Sequence, residues 1–223
     1  MRNISRLRNL LIFLLTLAAL FSQAQNEVIQ NAQQLLDSGK ADQALPILND
    51  ALKADQNNID ILFQRGKTRT ALQDLYGSIG DFNLVIEQRP DFAAAYNQRG
   101  LAKFYLGDDI GAIEDFDKAI ELDSKLADAY NNRGFAKFDL GDNEGAYFDF
   151  SKAIDLDPSD PDKFYNRAVV RSELEEYIGA IDDYNKSIAL DSVDAEAFNN
   201  RGISFFALGD FEAAISDYTK AIS

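Results

Sequence analysis

The chain has no cysteine, no histidine and no tryptophan, and its one methionine is Met1. Without cysteine it can form no disulfide, thiolate nucleophile or cysteine zinc site. Without histidine it lacks both the commonest metal ligand and the side chain most used for proton transfer near neutral pH. Carboxylate and lysine chemistry remain open, but many enzyme mechanisms are excluded. Positive charge is also scarce, with 22 Lys and Arg against 37 Asp and Glu and a formal charge of −15. Nucleic-acid binding needs clustered Lys and Arg, and adsorption to anionic lipid needs a basic surface, so both are disfavoured. Of 223 residues, 46% are hydrophobic and 26% charged, a composition that buries a core and is not that of a disordered chain.

Nor is there an apolar run long enough for a membrane-spanning helix, which needs about 20 residues. The longest run, 10–21, is broken only by Thr16 and follows Arg2, Arg6 and Arg8. Ser22-Gln23-Ala24 supplies small residues at the −3 and −1 places before Gln25. Residues 1–24 therefore read as a secretory signal cleaved after Ala24, which directs the protein to the periplasm or outside the cell. The runner-up reading is an uncleaved inner-membrane signal anchor. With no cysteine after the run, a lipoprotein anchor is excluded. Loss of the three leader arginines takes the formal charge from −15 to −18 over residues 25–223.

What the chain does have is a repeat. Ala95-Tyr96-Asn97-Gln98-Arg99-Gly100 recurs 34 residues on as Ala129-Tyr130-Asn131-Asn132-Arg133-Gly134. The same step reaches Phe164-Tyr165-Asn166-Arg167-Ala168 and Phe198-Asn199-Asn200-Arg201-Gly202 and, backwards, Leu62-Phe63-Gln64-Arg65-Gly66. A weaker copy begins at Val28. Six units follow: 25–58, 59–92, 93–126, 127–160, 161–194 and 195–223. Within each, apolar residues recur at helical spacing in two stretches. Between the stretches lies a turn such as Leu106-Gly107-Asp108, Leu140-Gly141-Asp142 or Leu208-Gly209-Asp210. Glycine there suits a left-handed helix end, and aspartate suits the cap of the next helix. Small residues recur on the first helix (Gly66, Gly100, Gly134, Ala168, Gly202) and on the second (Ser78, Ala112, Ala146, Ala180, Ala214). They allow close approach of the helix axes, with Phe82, Phe116, Phe150, Tyr184 and Tyr218 filling the space beside them.

This pattern resembles the tetratricopeptide repeat, a 34-residue helix–turn–helix unit, over the whole of residues 25–223. The resemblance implies an all-α fold, a right-handed α-solenoid or superhelix of six units, and a protein-binding scaffold instead of an enzyme. Lys103, Lys137 and Arg171 depart from it, standing where the family usually has an aromatic residue. Their stems are expected to run along the core edge.

Arg65, Arg99, Arg133, Arg167 and Arg201 are each followed 16 residues later by an aspartate, at 81, 115, 149, 183 and 217. In the first unit both partners are missing, replaced by Asn31 and Ile47. Joint presence and joint absence predict a structural ion pair across each helix pair.

At 100° per residue the remaining face of the first helix carries amides and apolar side chains. The resemblance makes this face the concave lining of the array. A ladder of amides runs through Gln30, Gln64, Gln98, Asn132, Asn166 and Asn200, flanked by Asn97, Asn131 and Asn199. Two readings stand for it: pairing with the backbone of an extended peptide, or bonding between adjacent repeats. Beside it lie Leu101, Phe104, Phe135, Phe138, Val169, Ile203 and Phe206, either an exposed apolar row or, for about half of them, packing against the next unit. Candidate partner-binding residues are therefore Asn97, Gln98, Leu101, Phe104, Asn131, Asn132, Phe135, Phe138, Asn166, Asn199, Asn200 and Phe206. Charges on this face are mostly acidic: Asp37, Asp60, Asp128, Asp139, Asp162, Glu173 and Glu196, against Lys67. An apolar, neutral or basic segment of another protein is the expected partner, and the basic set that clamps acidic tails in some family members is missing.

Asp155-Leu156-Asp157-Pro158-Ser159 opens with the spacing of a calcium loop, but Asp160 and Asn166 stand where that loop needs glycine and glutamate. Neighbouring carboxylates such as Asp182-Asp183 point about 100° apart on a helix and make no convergent catalytic pair. No catalytic residue, metal ligand or cofactor is therefore expected. The alternative function is self-association: residues 195–223 end after the second helix without a polar capping helix, so Phe205, Phe211 and Ile215 are expected to be exposed and to form a homodimer through the C-terminal end.

Overall fold

The computed structural model describes residues 2–222, in twelve α-helices and, among the described residues, no strand. Two compact units, Met1–Pro90 and Asp91–Ser223, divide the chain. The first contains α1 (Arg2–Asp37), α2 (Ala41–Ala54), α3 (Ile59–Ala71) and α4 (Leu75–Gln88). In the second are α5 (Ala93–Tyr105), α6 (Asp109–Leu122), α7 (Ala127–Asp139), α8 (Asn143–Leu156), α9 (Pro161–Glu173), α10 (Tyr177–Leu190), α11 (Ala195–Ala207) and α12 (Phe211–Ala221). Within each unit consecutive helices pack in pairs, and each pair packs on the next, forming an all-α solenoid. Helices α3, α5, α7, α9 and α11 begin at residues 59, 93, 127, 161 and 195, 34 residues apart.

In the first unit α1 runs unbroken through the predicted junction at Ala24. Its leading part presents Phe13, Leu15, Leu20 and Phe21 to solvent, and among the described side chains the first buried one along it is Ala32. Among the described residues no helix is long and apolar enough to cross a membrane.

The turns inside the pairs follow from local chemistry. Gly107, Gly141 and Gly209 take φ of +78°, +80° and +80°, the left-handed conformation that costs glycine least. Asp108 then accepts a bond from the Gly111 amide at 3.0 Å, and Asp74, Asp142 and Asp210 cap α4, α8 and α12 in the same way. Gln73 and Glu175 reach the same left-handed geometry (φ 62° and 60°) without glycine. Composition at those two turns gave no sign of it.

Close helix approach is real and local. A Cβ placed on Gly100 would come within 2.8 Å of the Phe116 ring, and one on Gly134 within 2.8 Å of Phe150. Phe82, Phe116, Phe150 and Tyr184 are at most 1% exposed, each contributing roughly 1.5–3 kcal/mol of burial. One turn before these rings on the same helices, Ser78, Ala112, Ala146 and Ala180 are also buried, as is Ala214 on α12.

All five predicted arginine–aspartate pairs form, each as a two-bond fork. Arg133 donates from Nε and Nη2 to Asp149 at 2.8 and 2.6 Å, and Arg167 to Asp183 at 2.8 and 2.7 Å. Arg65–Asp81, Arg99–Asp115 and Arg201–Asp217 repeat the geometry. The third guanidinium nitrogen reaches back to the preceding helix pair: Arg133 to Asp117, Arg167 to Ser151 and Arg201 to Asn185. Each such arginine thus ties its own pair together and joins it to the neighbour. Lys103, Lys137 and Arg171 do more than line the core edge. Lys103 and Lys137 reach Asp115 and Asp149 at 2.8 Å, and Arg171 reaches Asp183 at 2.8 Å, so each aspartate is shared by two cations. Charge on the aspartate therefore replaces aromatic packing at this position.

Candidate functional site

The amide positions resolve first. Asn132 donates its Nδ2 to Asn97 Oδ1 at 3.1 Å, Asn166 donates to Asn131 at 3.2 Å, and Asn200 donates to the Tyr165 hydroxyl at 2.8 Å. Residue i+35 of one pair thus bonds residue i of the pair before it, and Tyr165 takes the amide's place in the fifth repeat. Asn97 and Asn166 are 3% and 8% exposed. Both are therefore bonded across the repeat boundary, since a buried amide must find a partner and the neighbouring repeat supplies one; Asn97 lies beneath the face, and Asn166 reaches it only at a cavity wall. Gln98, Asn131, Asn132 and Asn200 are half-buried, and Asn199 is exposed with Asn200 as its partner. In the first unit Gln64 is buried, and Lys67 donates to Gln33 at 2.6 Å, burial pulling its ammonium below the ordinary lysine range.

Part of the apolar row likewise turns inward. Phe104 packs on the cluster of Ala112, Phe116 and Ala136, while Phe135 and Phe138 pack on Ala146, Phe150 and Val170. Phe206 is exposed beside Phe211, their ring centres 5.3 Å apart. What remains open is a row of adjoining cavities along α5, α7, α9 and α11. One of about 210 Å³ is lined by Leu101, Phe104, Tyr105, Asn132 and Phe135. Sharing Phe135 with it, a second of about 420 Å³ is lined mainly by carboxylates: Asp160, Asp162, Asp191, Asp194 and Glu196, with Asn131, Tyr165 and Asn166. A third of about 490 Å³ shares Tyr165 and Glu196 and adds Asn199, Asn200 and Ile222.

The structure thus brings Leu101, Phe104, Asn132 and Phe135 together, and Asn131 with Asn166. Phe138 and Phe206 do not join these cavities. Sequence reasoning missed the weight of the carboxylate cavity. Asp162 and Glu196 were readable as charges on the helix face, but Asp160, Asp191 and Asp194 lie in the loops between repeats, where 100° periodicity gives no direction. Tyr165 was detectable as the one break in the asparagine series at 97, 131 and 199.

Electrostatically the second cavity is crowded. Burial, then the charges of Asp160, Asp194 and Asp191, push the Asp162 carboxyl above its ordinary value. Burial and the nearby Glu196 and Asp194 push the Tyr165 phenol up. The nearest lysine is already committed. Lys163, 2% exposed, places Nζ 2.9 Å from Asp157 and 2.5 Å from Asp160. Its ammonium occupies the loop whose spacing suggested calcium, and its bond draws the Asp157 carboxyl down to about 2. Among the described residues no cluster of three carboxylates is placed to hold a metal ion.

Family models agree with this architecture. One described as TPR repeat matches residues 100–141, and one described as Tetratricopeptide repeat matches 127–160 and 195–223. No curated protein matches the sequence. Among solved structures the chain is similar to MamA, at 25% identity and a TM-score of 0.66 over 70% of this chain and 92% of that one. Similarity to PilW, a widely conserved type IV pilus biogenesis factor, has a TM-score of 0.79 at 22% identity, over 87% and 90% of the two chains. YrrB, a TPR protein with an unusual peptide-binding site, gives 0.64 at 17% identity over 78% and 90%. The 34-residue helix pairs, the glycine–aromatic approaches and these matches lead to one family: the chain is a tetratricopeptide-repeat protein.

Proposed function

We propose that the protein is an exported, non-catalytic scaffold that holds a segment of another protein against the first-helix face of residues 91–223. The observation that carries this reading is the row of adjoining cavities along α5, α7, α9 and α11, apolar at one end and acidic beyond it. An extended peptide fits such a row because its side chains are presented at regular intervals while its backbone amides meet half-exposed asparagines. Leu101, Phe104, Tyr105 and Phe135 are its apolar contacts, with Asn132 and Asn199 the amides best placed for its backbone. YrrB's described peptide-binding site supports the class of function, since the fold is shared.

Export is part of the same proposal. It rests on the cationic, apolar first 24 residues and on the exposure of Phe13, Leu15, Leu20 and Phe21 along α1, against burial that starts, among the described side chains, at Ala32. Mass spectrometry of the protein recovered from a bacterial host tests it: a chain beginning at Gln25 is expected, and one retaining residues 1–24 rejects cleavage.

Crosslinking in cells, followed by capture of the protein, tests the face itself. Wild type is compared with Leu101→Ser/Tyr105→Ser, chosen because Leu101 is half-buried and Tyr105 exposed, so the helices should survive. A partner held by wild type and lost by this folded variant supports the cavities as the working surface. Retention of that partner moves the site elsewhere, and capture of only further copies of this chain makes the protein self-associating.

A further inference from the structure

Resting on that reading of the face, we propose that the two cavities sharing Phe135 select one kind of segment, an extended stretch carrying an apolar side chain followed at short spacing by arginine or lysine. The apolar side chain fills the cavity of Leu101, Phe104, Tyr105 and Phe135, and the cation enters the carboxylate cavity.

Four observations carry this. First, four of the five carboxylates that line the cavity are without a cation of their own, Asp160 alone being paired, with Lys163. Asp162, Asp191, Asp194 and Glu196 have no lysine or arginine ion pair among the described residues, because Lys163 is held by Asp157 and Asp160. Second, the loops fix these groups in place. The Asp191 and Asp194 carboxylates accept the amides of Val193 and of Glu196 and Ala197, so one oxygen of each is bonded to backbone while the charge stays uncompensated. Third, Asn166 lines the cavity at 8% exposure with its Nδ2 given to Asn131, and its Oδ1 accepts no bond among the described residues. That is an acceptor without a donor, at the wall of a cavity where five carboxylates outnumber the donors of Asn131 and Tyr165, and the Tyr165 hydroxyl is already given to Glu196 at 3.5 Å. An ammonium or guanidinium, which has donors only, meets this excess of acceptors. Fourth, the apolar cavity adjoins through the Phe135 ring, whose face can also meet a guanidinium.

A bare divalent ion is a weaker match, because the carboxylates form no three-ligand cluster. Arginine is favoured over lysine, since a planar fork can engage two carboxylates at once. Neighbouring helices lie about 8–10 Å apart and an extended chain rises about 3.3 Å per residue, so the two anchors are separated by one or two residues.

Fluorescence anisotropy with synthetic peptides tests the pairing. The probes are acetylated, amidated, fluorescein-labelled peptides Gly-Ser-Phe-(Ser)n-Arg-Ser-Gly, with n from 0 to 3, and their counterparts with Glu or Gln in place of Arg. The full chain is used, alongside Asp162→Asn/Glu196→Gln, whose fold is checked by circular dichroism. The expected result is at least tenfold tighter binding of the Arg peptide than of the Glu peptide, best at n of 1 or 2, falling to under threefold in the variant. Raising salt from 50 to 300 mM should weaken the Arg peptide and spare the Gln peptide. Equal binding of Arg and Glu peptides overturns the charge selection while leaving the apolar face standing. A preference unchanged in Asp162→Asn/Glu196→Gln places the cation elsewhere and overturns the site. Full displacement of the Arg peptide by 1 mM calcium makes the cavity a metal site and overturns the proposal. Absence of binding by every peptide also overturns it, whereas the partner capture described above decides the scaffold reading independently.

Discussion

Asp149 sits beneath two cations at once, accepting a fork from Arg133 and a third contact from Lys137, with its own side chain 5% exposed. Burial opposes the charge of Arg133, but its bonds to Asp149 and Asp117 outweigh that and push its guanidinium pKa up. Such an aspartate contributes little to stability compared with a well-packed apolar residue, yet removing it strands two partly buried cations. Asp149→Ala is therefore expected to cost about 3 kcal/mol in urea denaturation, the low end for a broken buried pair, because Arg133 keeps some solvent. Lys53→Ala, which breaks a pair whose side chains are over 70% exposed, should change stability by less than about 0.5 kcal/mol. Equal effects would mean that the forks are ornamental. At this scale the five forks were readable because each arginine and aspartate vary together along the chain. Sharing of the aspartate by Lys103 or Lys137 was not, since a long flexible stem leaves the place of its ammonium open. Lys163 gives the matching pH test. Its ammonium, with the Ser159 hydroxyl and amide, holds Asp157 at about 2, below the ordinary carboxylate value of about 3.9. A depressed carboxylate contributes stability above the ordinary value and loses it as pH falls toward 2. Lys163→Met should raise the Asp157 value by NMR titration but leave it below the ordinary one, because the Ser159 hydroxyl and amide still bond the carboxylate, and the stability gap between wild type and variant should shrink as pH falls from 5 to 2. A gap constant over that range would rule out the pairing.

At the scale of the helix pair, two kinds of backbone demand shape stability. One is the left-handed turn, met by glycine at 107, 141 and 209 and by Glu175 in the fifth repeat. Residues with a Cβ are strained there, so Glu175→Gly is expected to raise stability by about 0.5–1 kcal/mol, visible as a higher urea midpoint at unchanged slope. No gain would mean that Glu175 makes compensating contacts. The other demand is the close approach of the two helices. Valine at 134 would drive its side chain into the buried Phe150 ring, so Gly134→Val should lose about 1–3 kcal/mol. Ala168 against Tyr184 shows that one methyl is accommodated when the second helix is built around it. Both the turn and the approach were legible where glycine marked them. Where Gln73 and Glu175 adopt the turn, the fold imposes a conformation that composition does not announce.

Across the whole chain, a repeat array is stabilised by its units and by the interfaces between neighbours, and the amides belong to the second class within residues 91–223. Periodicity placed these side chains on one stripe of the first helix, and that much was legible. Which of them face solvent was not, because the stripe borders both the open face and the next repeat, and only packing decides between them. The bonds from Asn132 to Asn97 and from Asn166 to Asn131 assign the buried Asn97 and Asn166 to the interface, while the half-buried Asn131 and Asn132 border the open cavities as well. Asn199, exposed and bonded only to Asn200, is left on the open face. The two roles predict opposite phenotypes. Asn166→Ala removes a buried donor and leaves Asn131 short of one partner, so it should cost about 1–2 kcal/mol and lower hydrogen-exchange protection in α7 and α9 together. Asn199→Ala should leave stability within about 0.5 kcal/mol and protection unchanged, while weakening capture of the partner. If Asn166→Ala instead kept full stability and abolished capture, the amide at 166 would be a ligand contact, and the coupling between repeats would rest on the arginine forks alone.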